Sequence, residues 1–118
     1  MSDCRYGLTT IGPMSVTIEG NILINNRYET DAMNGGSGMS LYDPTGKQTV
    51  RITDNYIEGS LWGITVIGCG DVNIGKTVDE SAADYNPGRN VFVNNGNGGM
   101  LYDLYNNSTN TVYAQGNM

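Results

Sequence analysis

The 118 residues include no histidine, one phenylalanine, three prolines, two cysteines and only six lysines and arginines. Each scarcity removes a class of function. Without histidine there is no Ser-His-Asp triad, no His-containing zinc site and no side chain that titrates near neutral pH at its ordinary pKa. Catalysis would fall to Asp, Glu, Tyr, Lys or Arg. Six unclustered cations against twelve carboxylates leave a net charge of −6, so the basic footprint that grips phosphate backbones is missing and no nucleic-acid partner is expected. The longest apolar stretch, residues 61–67, is far short of the roughly 20 residues that cross a bilayer. No membrane span is expected, and Met1-Ser2-Asp3-Cys4-Arg5 has no apolar core of a signal peptide.

Leu, Ile, Val and Phe are also sparse, 24 residues in all, while glycine and asparagine supply 17 and 15. An apolar fraction near 20% borders on disorder. It suits either a low-complexity segment or a single domain whose turns recur often, and periodicity separates the two.

One three-part phrase recurs four times. A glycine opens a short alternation in Gly7-Leu8-Thr9-Thr10-Ile11, Gly38-Met39-Ser40-Leu41-Tyr42, Gly63-Ile64-Thr65-Val66-Ile67 and Gly99-Met100-Leu101-Tyr102. A β-branched piece follows in Val16-Thr17-Ile18, Val50-Arg51-Ile52, Val72-Asn73-Ile74 and Val112-Tyr113-Ala114. The third piece starts with asparagine in Asn21-Ile22-Leu23-Ile24, Asn55-Tyr56-Ile57-Glu58 and Asn90-Val91-Phe92-Val93, and again at Asn117. Period-2 alternation bounded by Gly, Asn or Asp reads as short strands between turns. Three strands per repeat, recurring in register, predict an all-β parallel β-helix, a solenoid of about four coils with three short strands each.

Asparagine tolerates left-handed backbone at a sharp bend, and its amide both donates and accepts. Stacked one per coil, Asn21, Asn55, Asn90 and Asn117 are expected to form a hydrogen-bonded ladder that satisfies buried turn groups.

The phrases Thr49-Val50-Arg51-Ile52-Thr53-Asp54-Asn55-Tyr56-Ile57 and Gly88-Arg89-Asn90-Val91-Phe92-Val93-Asn94-Asn95 resemble the right-handed parallel β-helix repeats of the pectate-lyase-like superfamily. The resemblance runs from Gly7 to Asn117. It implies a right-handed β-helix and an extracellular, periplasmic or cell-surface location. The superfamily holds polysaccharide lyases, glycoside hydrolases, epimerases and many secreted repeat proteins, so the resemblance speaks to fold more than to chemistry. It also implies a sugar-binding groove along one sheet, with acidic residues and Lys or Arg on neighbouring coils.

For such a groove the outward acidic candidates are Asp43 and Asp103, each following a tyrosine and two coils apart, hence roughly 9–10 Å by coil spacing. They are weak catalytic candidates, since Asp43-Pro44-Thr45-Gly46 also reads as a type I turn. No cofactor is expected; a calcium site built from Asp43, Asp71 and Asp103 is the alternative reading, without any EF-hand spacing behind it. Eight tyrosines and one tryptophan suit stacking on sugar rings, with Tyr6, Tyr42, Trp62 and Tyr102 as the glycan-binding candidates. Tyr6 and Trp62 both precede a strand-opening glycine and so share one edge position. Cys4 and Cys69 fall two coils apart at opposite strand ends, against the Cα separation of about 7 Å that a disulfide requires. Asn107-Ser108-Thr109 fits a glycosylation acceptor pattern but reads as a turn.

Insertions at residues 27–37 and 76–88 break the coil length, the second with Asp79 as N-cap of a single helical turn. Ile22, Ile24, Val91 and Val93 are expected to point outward as an apolar patch, which the insertions or a partner chain would cover. Residues 1–118 then form one β-helix segment, part of a longer solenoid or packed end to end or side by side with another chain. The functional expectation is a secreted or surface module that binds a polysaccharide or serves structurally. The alternative is a piece of a polysaccharide lyase or glycoside hydrolase acting through carboxylates on one sheet face.

Overall fold

Alternating aliphatic and polar residues form strands of two to seven residues, and each run is broken by a residue suited to a turn. The computed structural model describes residues 3–28, 31 and 34–118, and no helix occurs among them. The strands are β1 (Leu8–Ile11), β2 (Ser15–Glu19), β3 (Ile22–Ile24), β4 (Ser37–Asp43), β5 (Thr49–Thr53), β6 (Tyr56–Glu58), β7 (Trp62–Gly68), β8 (Asp71–Gly75), β9 (Val91–Val93), β10 (Gly96–Asn97), β11 (Met100–Leu101), β12 (Leu104–Asn107) and β13 (Val112–Ala114).

They make three parallel sheets, β1-β4-β7-β12, β2-β5-β8-β13 and β3-β6-β9. The chain visits the three sheets in turn, adding one strand to each in three passes and one to each of the first two in a fourth. All-β structure with parallel strands in stacked sheets follows from the repeats. Register aligns residues of like character: Leu8, Met39, Ile64 and Leu104 in the first sheet, Val16, Val50, Val72 and Val112 in the second, Leu23, Ile57 and Phe92 in the third. These columns meet in one apolar core between the sheets.

One strand is misplaced by the repeat pattern. Gly99-Met100-Leu101-Tyr102 imitates the start of β4, yet the fourth strand of the first sheet is β12, with Leu104 opposite Ile64. Met100 and Leu101 instead pair antiparallel with Asn97 and Gly96. The reason is the dipeptide Gly98-Gly99, with φ of 58° and 81°, the backbone that a two-residue primed hairpin turn requires. Asp103 therefore takes the place opposite Gly63, and Tyr102 the place opposite Trp62.

The four asparagines lie in one file. The Nδ2 of Asn21, Asn55 and Asn90 donates to the Oδ1 of the next at 3.0, 3.0 and 2.9 Å, ending on Asn117. The same Oδ1 atoms accept the backbone N–H of Asn21, Asn55 and Asn90 at 2.9–3.0 Å. The left-handed residue at this bend is not the asparagine but its predecessor: Gly20, Asp54, Arg89 and Gly116 have φ between 55° and 72°. Asp54 and Arg89 stack there as a two-pronged ion pair at 2.7 and 2.9 Å. A second bend carries Asn26, Ser60 and Asn95, all fully buried; the Ser60 N–H donates to Asn95 Oδ1 at 3.0 Å, while the Ser60 hydroxyl has no partner among the described residues.

Among the described residues, neither insertion covers the outer face of the third sheet. Residues 76–88 form turns rather than a helical turn, with Asp79 Oδ1 accepting the Ser81 amide and hydroxyl. The segment folds over the second sheet, where Arg51 donates to the Tyr85 carbonyl and Asn73 to the Asp84 carbonyl, both at 2.8 Å. The outward residues Arg51 and Asn73 supply the donors that hold it there. The described part of 27–37 runs beside the start of the first sheet: Arg5 Nε donates to the Asn34 carbonyl at 2.6 Å, and the Gly36 N–H to the Arg5 carbonyl at 2.8 Å. Residues 29, 30, 32 and 33 of that insertion lie outside the described residues. Ile22 stays 60% exposed, with Ile24, Val91 and Val93 half-buried.

Candidate functional site

Strand alternation decides what the first sheet shows to solvent. Met39, Leu41, Ile64 and Val66 are fully buried in the core, so their neighbours turn outward. One outward row is Thr9, Ser40, Thr65 and Tyr105; the next is Ile11, Tyr42, Ile67 and Asn107. At the strand entry stand Tyr6, Ser37, Trp62 and Tyr102.

These positions enclose an open groove of about 240 Å3. Ser40 and Thr65, nearly buried, give it hydroxyls; Tyr6, Trp62 and Tyr105 give it rings; Gly35, Ser37, Ile67 and Asn107 complete the lining. Trp62 is braced by two tyrosines, with ring centroids 4.7 Å to Tyr102 and 5.1 Å to Tyr105 at tilts of 41° and 54°, inside the range of favourable aromatic pairs. Gly63 permits this approach, since a Cβ there would lie 2.3 Å from the Asp103 carbonyl oxygen. The hydroxyls of Ser37 and Thr65 are 3.1 Å apart. The Arg5 guanidinium lies over the Tyr6 ring at 5.4 Å, a cation–π contact.

Of the four aromatic candidates, Tyr6 and Trp62 line the groove, and Tyr102 stands behind Trp62. Tyr42 is 43% exposed, one strand from Ile67 and outside the lining. Tyr105, Ser40, Thr65 and Asn107 escaped the sequence reading. The third residue of each glycine-led phrase, Thr9, Ser40 and Thr65, is a hydroxyl in the first three repeats, and that regularity was the available signal.

The carboxylate candidates are not brought together. Asp43 pairs with Gly68 at the strand exit and Asp103 precedes Leu104 at the entry, so about five residues, or ~16 Å along the strand, separate them. Asp43 is buried and fully engaged: its carboxylate accepts from the Thr45 hydroxyl at 2.6 Å and from the amides of Thr45, Lys47 and Gln48 at 3.0, 2.9 and 2.7 Å. It is a turn residue. Asp103 accepts from Asn95 Nδ2 at 3.3 Å. Asp71 belongs to the second sheet, so the calcium set fails as well, and no group of acidic or cysteine side chains among the described residues could hold a metal. Cys4 and Cys69 form no disulfide; Cys69 is buried, and burial chiefly pushes its thiol pKa up.

The Thr45 hydroxyl, helped by the three amides and opposed by burial, holds the Asp43 carboxyl below the ordinary carboxylate range. A carboxylate depressed in the fold adds stability above its unfolded pKa of about 3.9, and that stability is lost as pH falls through the lower folded value. Thermal melts are therefore expected to drop on acidification below about pH 4. Asp43→Asn should lower Tm at neutral pH and weaken this acid dependence, while Asp54, depressed by Arg89 beside it, retains its share. An acid slope identical in variant and wild type would show that Asp43 does not titrate in that window.

A second groove, of about 210 Å3, lies on the outer face of the second sheet between Thr17, Arg51, Asp71 and Asn73, roofed by Ala83 and Asp84 of the insertion. No helix among the described residues is long and apolar enough to cross a membrane. The chain matches no protein-family model, no curated protein and no solved structure.

Proposed function

We propose that this chain is a right-handed parallel β-helical module, secreted or displayed at a surface, that binds a glycan in the groove of its first sheet. The handedness follows from the near-universal right-handed crossover between parallel strands, and the cyclic visiting of three sheets supports a solenoid. The observation that carries the function is Trp62, braced by Tyr102 and Tyr105 beside the nearly buried hydroxyls of Ser40 and Thr65. Rigid rings offer stacking surface for the C–H faces of a sugar, and small hydroxyls offer paired donors and acceptors for its edge. A lyase or hydrolase acting here would need carboxylates in the groove, and the described residues that line it include none.

Affinity electrophoresis against a panel of soluble polysaccharides tests the proposal. Retention on at least one glycan is expected, weakened about tenfold, or 1.4 kcal/mol, in Trp62→Ala and in Tyr105→Ala, with circular dichroism checking that each variant folds. Wild-type protein that migrates unretarded on every glycan would refute it.

A further inference from the structure

We infer that the groove selects a short, uncharged oligosaccharide laid across the strands, in preference to a chain of uronic acids; this rests on the glycan-binding reading above. Charge is the first ground. Among the described residues none lining the groove is ionisable apart from its tyrosines, and the chain as a whole carries −6. A sugar carboxylate placed against Trp62 and Ile67 would lose water without gaining a counter-charge, which is strongly unfavourable, and the field of the whole chain opposes its approach. Three of the six cations are engaged elsewhere: Arg89 pairs with Asp54, Lys76 with Asp84, and Arg51 reaches the Tyr85 carbonyl over a different sheet. Arg5, over Tyr6, has its Nε committed to the Asn34 carbonyl.

The second ground is the spacing of the rings. Tyr6 precedes β1 and Trp62 opens β7, so two strand spacings, about 10 Å, separate these two platforms. The hydroxyls of Ser40 and Thr65 lie on the intervening strand and on β7 itself. One sugar ring cannot cover both platforms, whereas a chain crossing the strands can stack on each and hydrogen-bond between them.

Isothermal titration with a neutral hexose monosaccharide, neutral hexose trisaccharides and tetrasaccharides of several linkages, and length-matched oligogalacturonates, each at low and high salt, tests the inference. At least one neutral oligomer is expected to bind about tenfold or more tighter than the oligogalacturonate and than its own monosaccharide, with little salt dependence. Tyr6→Ala should erase the gain of oligomer over monosaccharide, and Trp62→Phe should retain most binding where Trp62→Ala does not. Equal or tighter uronate binding, lost at high salt or in Arg5→Gln, would overturn the inference and leave the glycan reading standing. A monosaccharide as tight as every oligomer would overturn the two-platform geometry. Absence of binding to all of these sugars in titration, together with retention on some other glycan in electrophoresis, overturns the inference alone; absence in both removes the glycan reading with it.

Discussion

Asn90→Ala is expected to destabilise the fold by about 3–5 kcal/mol, a large part of the roughly 5–15 kcal/mol that holds a domain of this size. The Asn90 side chain is fully buried. Its Nδ2 reaches the carbonyls of Ile52 and Ile74 at 3.3 and 3.1 Å and Asn117 Oδ1 at 2.9 Å, and its Oδ1 accepts both nitrogens of Asn55. Alanine strands these partners inside the stack, and each buried group left without a hydrogen bond costs about 1–3 kcal/mol. Asn90→Asp keeps the acceptor but loses the donors and places a charge in the interior, so it should be no milder. Asn21 is the contrast. Its half-buried amide donates to Glu19 O and Asn55 Oδ1, water can replace it, and Asn21→Ala is expected to cost about 1 kcal/mol. Urea denaturation of the three variants measures the difference; equal losses at positions 21 and 90 would mean that the file of amides does not act through burial.

The second large effect belongs to Gly68. Its φ is +72°, and a Cβ built on it would sit 2.1 Å from the Asp43 carbonyl oxygen and 2.7 Å from the carbonyl carbon. That oxygen accepts the Cys69 and Gly46 N–H groups at 2.8 and 3.1 Å. Gly68→Ala must therefore adopt a disfavoured backbone and also push two passes apart at a bend whose hydrogen bonds depend on their contact. A loss of about 3 kcal/mol or more is expected, combining about 1–2 for the backbone with the broken bonds. Gly12 occupies the equivalent bend of the first pass, with φ +84°, and a Cβ there meets nothing within 4 Å. Gly12→Ala should carry the backbone penalty alone, about 1–2 kcal/mol. If thermal melts show both alanines equally harmful, the close approach at Gly68 is not what demands glycine.

The alternation of Val16, Val50, Val72 and Val112, and of Leu23, Ile57 and Phe92, was legible because parallel strands stack like on like, so the repeat in sequence is the column in space. The same logic failed at Gly99. A primed hairpin there uses the Gly-Met-Leu-Tyr string for a purpose that the repeat does not encode, and the true strand begins at Leu104 without a glycine before it. That shift misplaced Asp103 and hid Tyr105. The insertion of residues 76–88 was legible as an insertion but not in its destination, because what seats it is a pair of hydrogen bonds to the backbone of Asp84 and Tyr85. Backbone acceptors carry no residue type for a sequence to display. Tyr6 and Trp62 were found because each stands immediately before a glycine that starts a strand; the hydroxyl floor of the groove was visible only as a repeated small residue and carried no signal of chemistry.

The pairing of each strand with its counterpart from the next pass also sets how the molecule can assemble itself. The asparagine bonds join residues 34, 35 and 27 positions apart, so the chain must close a long loop before any parallel sheet bond forms, and topologies dominated by such contacts reach the native state in milliseconds to seconds rather than microseconds. The shortest of these closures join the second and third passes: Val50 meets Val72 across 22 residues and Met39 meets Ile64 across 25. Once those two passes are paired, the first and the fourth find a formed edge on either side. The groove spans from Tyr6 to Tyr105 and is therefore completed only when the last pass has docked.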